Sequence, residues 1–122
     1  MNELKEPGKI LWLYCKVQEI MEVQSLENFI NYIEKLMLQC DETDYVQDSG
    51  RCYLKSEYMK DLIYEARELI RYGERTIALE NLLENLNEVS IYIDKEAVEL
   101  AKRAFGSQLS EEKEKVLNSL VK

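Results

Sequence analysis

The sequence predicts an all-α protein: an antiparallel bundle of five to six helices, with one small β-hairpin near residues 45–54 left open. Two observations carry this. The single proline and the four glycines stand at Pro7, Gly8, Gly50, Gly73 and Gly106, so long stretches contain no helix breaker. Between them, apolar residues recur at three- and four-residue spacing in five or more segments. At 122 residues the chain reads as a single domain spanning residues 1–122. A chain of this size buries roughly 65% of its unfolded surface, enough for a true core.

The first helix is expected from about Gly8 to Val23, with Ile10, Leu13, Tyr14, Val17, Ile20 and Met21 at helical spacing. Leu11, Trp12 and Cys15 make its start apolar on most sides, which predicts burial there, with Trp12 in the core. A strand over residues 10–15 is the other option that so short an apolar run allows. A second helix is expected from Ser25, an N-cap residue, with Leu26, Phe29, Ile30, Ile33, Met37 and Cys40 as its stripe. That stripe is out of phase with the first, which predicts a break near Gln24. Residues 41–55 form a long connection. Within it, Tyr45–Gln47 and Cys52–Leu54 are a candidate hairpin around Asp48–Gly50.

Ser56 is the expected cap of the next helix, which carries Met59, Leu62, Ile63, Ala66, Leu69 and Ile70 and ends at Gly73 in the C′ position. Thr76 is the expected cap of a fourth, with Leu79, Leu82, Leu83 and Leu86 inward. Asp94 caps a fifth, with Ile93 and Val98 spaced as a hydrophobic staple, and Gly106 ends it. Ser110 caps a last helix whose Val116, Leu117 and Leu120 point inward.

Composition narrows the function. The 24 acidic residues outnumber the 16 basic ones, giving a net charge of −8. Such a chain repels nucleic acid and anionic membrane and attracts a basic partner. With no histidine, Ser-His-Asp and Cys-His catalysis are excluded, as is the Glu-x-x-His pattern of carboxylate-bridged metal pairs in bundles. Cys15, Cys40 and Cys52 show no Cys-x-x-Cys spacing, and their odd number favours a reducing compartment, hence the cytoplasm. No two glycines lie close enough for a phosphate loop, apolar runs are too short to span a membrane, and Glu3 and Glu6 argue against a secretory signal. The expectation is a protein without enzymatic activity, cofactor or metal.

Two acidic segments are the candidate binding residues. Glu80, Glu84 and Glu88 lie four apart, a spacing that places them on one helix face and weakens the helix by roughly 0.2–0.5 kcal/mol per pair. Asp41, Glu42, Asp44 and Asp48 cluster around Tyr45 in the long connection but lack the central glycine and final glutamate of an EF-hand loop. Each group reads either as a solvated surface or as a contact for a basic protein, with Tyr45 and Tyr53 adding the amphipathic area that interfaces favour.

The segment from Gly73 to Gly106 tilts that choice. Its Gly-Glu after a helix, its Ala78-Leu79-Glu80 and Leu82 core, its Glu84–Glu88 tail and its Ile91–Glu96 turn together resemble the MafI-like and contact-dependent-inhibition (CdiI-type) immunity proteins of bacterial polymorphic-toxin systems. The resemblance implies a helical protein that binds a cognate toxin C-terminal domain, often a basic nuclease, and covers its active-site or substrate-binding surface. A helical adaptor or oligomerisation module is the alternative; an exposed apolar stripe drawn from Leu11, Trp12 and Leu13 would favour it.

Overall fold

The computed structural model describes residues 7–122. Glu3 and Glu6 lie outside the described residues. The order of elements is helix α1 (Pro7–Leu38), strands β1 (Tyr45–Asp48) and β2 (Arg51–Leu54), then helices α2 (Lys55–Arg71), α3 (Arg75–Glu88), α4 (Lys95–Phe105) and α5 (Glu111–Ser119), with a 3-10 turn at Gly106–Gln108. The expected helical bundle with a small hairpin is therefore the fold. Among the described residues no helix is long and apolar enough to cross a membrane.

The break expected at Gln24 is absent. α1 runs without interruption for 32 residues. Gln24 Nε2 donates to Asn28 Oδ1 at 3.0 Å across the supposed boundary, and neither Gly nor Pro interrupts the backbone there. The shift in apolar phase marks a change in what the helix faces, not its end. Only the second stripe is core: Leu26, Phe29, Ile30 and Ile33 are buried. The first stripe is exposed, and so is Trp12, at 60%. The expectation of a buried Trp12 and a buried start was wrong because no other element of the described chain covers that half of the helix.

α1 packs against α4 and α2, α2 and α3 form an antiparallel hairpin, and α5 closes against α3 and α4. The core centres on Phe29, Ile30, Ile33, Met59, Leu79, Leu82, Leu86, Ile93, Leu117 and Leu120, all essentially without solvent contact. Arg67 on α2 clamps α1 by donating to Glu34 at 2.6 Å and Glu27 at 3.3 Å. The bond to Glu34 is the main reason that its guanidinium is held even more firmly protonated than usual. Tyr32 on α1 accepts the Asp94 amide at 3.0 Å. The link before α4 is tied to the end of the chain. The Ile93 amide donates to the Leu120 carbonyl at 2.8 Å, and Lys122 returns a bond to Ile93 at 3.1 Å.

Helix ends follow local chemistry, with two corrections. Asp94 Oδ1 accepts the Ala97 amide at 2.9 Å and Ser110 Oγ the Lys113 amide at 3.3 Å, as capping predicts. Gly73, at φ +81°, closes α2 through a Schellman pair: its amide bonds to Ile70 and that of Glu74 to Leu69. Ser56 and Thr76, however, lie inside the first turns of α2 and α3, behind Leu54 and Glu74, and neither helix has a side-chain cap bond. Strand β2 runs straight into α2, and the Lys55 amide is satisfied by the Asp44 carbonyl at 2.8 Å. The Schellman turn leaves no room for a separate cap before α3.

The hairpin pairs Tyr45 with Leu54, Val46 with Tyr53, Gln47 with Cys52 and Asp48 with Arg51. Its two-residue turn, Ser49–Gly50, has positive φ at both positions (52° and 79°), the requirement of the type I′ turns that match strand twist. Val46 is buried and anchors the hairpin, while Tyr45 faces out.

These assignments are separable by substitution. Asp94→Ala should lower unfolding stability by about 1 kcal/mol through loss of a cap. Ser56→Ala should stay within about 0.5 kcal/mol of the parent. Urea denaturation followed by circular dichroism measures both.

Candidate functional site

Where β1, the start of α2 and the end of α3 meet, one phenol stands against Asp48 and Asn85. Tyr58 sits one turn into α2, directly beneath the hairpin. Its hydroxyl is within donating distance of Asp48 Oδ2 (3.4 Å) and Asn85 Oδ1 (3.5 Å). Its ring lies 5.9 Å from that of Tyr53, tilted by 46°, in the range where aromatic pairs attract. Burial, then the negative charges of Asp48, Glu88 and Glu65, push its pKa up to about 12. Burial is the larger cause, because it penalises the charged phenolate, and the neighbouring negative charges add to it.

Of the residues expected to bind a partner, the structure brings Asp48 and Glu88 together here, with Tyr45 exposed on the outer face of the hairpin. Asp41 and Glu42 are exposed on the preceding turn, whereas Asp44 is half-buried and accepts the Asp41 amide at 2.9 Å. Glu80 stands elsewhere. It pairs with Lys113 of α5 at 2.8 Å, and Lys113 also donates to the Gln108 carbonyl at 2.9 Å and lies 4.9 Å from the Phe105 ring. Each four-residue step advances the side chain by about 40° around a helix. Glu80 has therefore rotated toward α5 while Glu88 faces the hairpin. Glu84 lies between, exposed, on the lip of an open groove of about 310 Å³ between α3 and α5.

Tyr58 and Asn85 were not found by reading the sequence. The available signal was the hairpin itself, whose register carries the chain straight into a helix and so sets position 58 beside Asp48. The Cys40 thiol is pushed up by burial and donates to the Leu36 carbonyl at 3.4 Å, which leaves it an unreactive neighbour of Met59. Among the described residues no three or more His, Cys, Asp or Glu side chains are grouped to hold a metal ion.

A second surface lies at the far end of α1. Here the helix projects an apolar face away from the body: Ile10, Leu13, Tyr14, Val17, Ile20 and Met21 are all between 46% and 67% exposed. Its other side carries Leu11, Trp12 and Cys15 at the start and then meets the body through polar residues. Glu19 meets Arg75 at 3.6 Å, and Glu22 lies against Gly106, where its carboxylate fills the space a Cβ would need.

No family model, curated protein or solved structure matches this chain. Its function is read from its own residues.

The Tyr58 environment predicts a pH dependence. Its folded pKa lies above that of an unfolded tyrosine, so its stabilising contribution is complete below about pH 10 and is lost as pH rises toward about 12. Tyr58→Phe should flatten that part of the alkaline loss of stability. It should also remove the highest-pH component of the tyrosinate absorbance titration.

Proposed function

We propose that this chain is a non-enzymatic protein-binding module of the immunity type. In this reading it holds a basic toxin domain in the cytoplasm and covers the surface that the toxin uses for its substrate. The observation that carries the proposal is the corner where Asp48 and Asn85 meet Tyr58, bordered by the exposed Glu88 and Tyr45 and the partly exposed Tyr53. Tyrosines supply large contact area at small conformational cost. The carboxylates supply the charge that a substrate channel evolved for nucleic acid attracts. The three thiols, none of them paired with another, suit a reducing compartment.

The binding face in this proposal is narrower than the full acidic set. Glu88, Glu84, Asp48 and Tyr45 form its centre, with Asp41 and Glu42 at its edge. Glu80 is drawn into the fold by Lys113. Charge of this kind raises the association rate more than it deepens the complex, and salt screens it beyond roughly 8 Å at physiological ionic strength.

The adaptor or oligomerisation reading is favoured by a different observation, the uncovered apolar face of α1. The two readings concern different surfaces and are compatible.

The test of the immunity reading is to produce the C-terminal domain of an adjacent secreted-toxin gene with and without this chain. Co-expression should relieve growth arrest, and the purified pair should associate more slowly as salt rises. Glu84→Gln with Glu88→Gln should leave the fold intact and cut the association rate by about tenfold. Glu80→Gln should mainly loosen α5. Absence of any complex with that domain would refute the immunity reading; unchanged association of the double variant would refute the acidic face.

A further inference from the structure

The first half of α1 carries a seam that the described residues leave exposed. Ile10, Leu13, Val17, Ile20 and Gln24 alternate at spacings of three and four, the a and d positions of a heptad repeat. They project from one side of the helix, with Tyr14 and Met21 beside them. The opposite side is committed to the body through Glu19 with Arg75 and Glu22 against Gly106. The stripe therefore cannot turn inward without undoing those contacts, and it stays in water in the single chain.

We propose that this seam pairs with the same seam of a second copy, forming a symmetric dimer through a short two-helix coiled coil. Three features point to a copy of the chain rather than to another surface. Ile10 and Val17 are β-branched at a and Leu13 stands at d, the combination that favours two strands in parallel pairs, while Ile20 at the second d position pulls toward higher order. Ile10, Leu13, Tyr14, Val17, Ile20 and Met21, each between 46% and 67% exposed, form one contiguous apolar face along the helix, and exposed apolar faces of this kind mark interaction sites. Self-pairing through one patch closes on itself, as a twofold interface must.

Charge argues against a lipid surface as the occupant. A helix that lies on a membrane flanks its apolar face with lysine and arginine. Here Lys9 and Lys16 are balanced by Glu19 and Glu22, and the whole chain carries −8.

The inference does not rest on a toxin partner, and its readout is mass. The full chain, examined by light scattering and sedimentation equilibrium over a wide concentration range, should show twice the chain mass. Leu13→Glu with Val17→Glu should halve that mass while the body keeps its cooperative unfolding, because both side chains are exposed in the single chain. Leu11→Gln with Trp12→Gln alters equally exposed apolar residues off the seam and should leave the mass unchanged. Any of three results would overturn the proposal: a parent that stays at single-chain mass throughout, a seam variant that remains dimeric, or an off-seam variant that dissociates as fully as the seam variant. A parent that is monomeric and instead pellets with phosphatidylcholine vesicles would overturn it equally.

Discussion

The structure depends on one packed ridge, the Leu26–Phe29–Ile30–Ile33 face of α1, which is buried against α4 and α2. Apolar burial of this kind is non-directional, so it sets that these helices meet but not how they are aligned. Alignment comes from the polar groups at its margins: Arg67 between Glu27 and Glu34, and the Tyr32 hydroxyl on the Asp94 amide. Because the ridge occupies only the second half of α1, the first half is held at the side by a few polar contacts and is otherwise open. The two surfaces of interest follow from that asymmetry. One is the corner where α2 and α3 carry the hairpin, the other is the helix that overshoots the core.

Charge is distributed unevenly around this frame. Cations at the helix contacts take up nearby carboxylates: Lys102 joins Glu99 to Glu114, Lys113 takes Glu80, and Arg75 reaches Glu19. Such partly exposed pairs add little stability individually, but they decide where negative charge is neutralised. At the Tyr58 corner Asp48 stands opposite Arg51 in the hairpin register, and Glu88 is exposed.

Much of the fold was legible because helix formation here is governed by local chemistry. Glycine and proline placement and the Asp94 and Ser110 caps act within one turn, and each appears where expected. The hairpin was legible around Asp48–Gly50, and the structure narrows its turn to Ser49–Gly50 by pairing Asp48 with Arg51. What failed depended on distant neighbours. An apolar stripe announces that a surface wants cover without saying whether this chain provides it, which is why Trp12 was misplaced and the continuous α1 was divided. Ser56 and Thr76 carry a capping hydroxyl, but a strand in one case and a Schellman turn in the other had already set the helix start. Part of the candidate site was readable as acidity at Asp48 and Glu88. Its centre, Tyr58 with Asn85, exists only once α2 and α3 are side by side.

The bond between Tyr32 and Asp94 spans 62 residues, and this has a consequence for how the chain is made. A ribosome adds about 5–20 residues per second, so α1 emerges roughly 3–12 seconds before the amide that its tyrosine will accept. During that interval Phe29, Ile30 and Ile33 have no α4 to lie against, while the α2–α3 hairpin, built from near neighbours in the chain, can already close. The ridge on α1 therefore waits for α4 before it is fully covered.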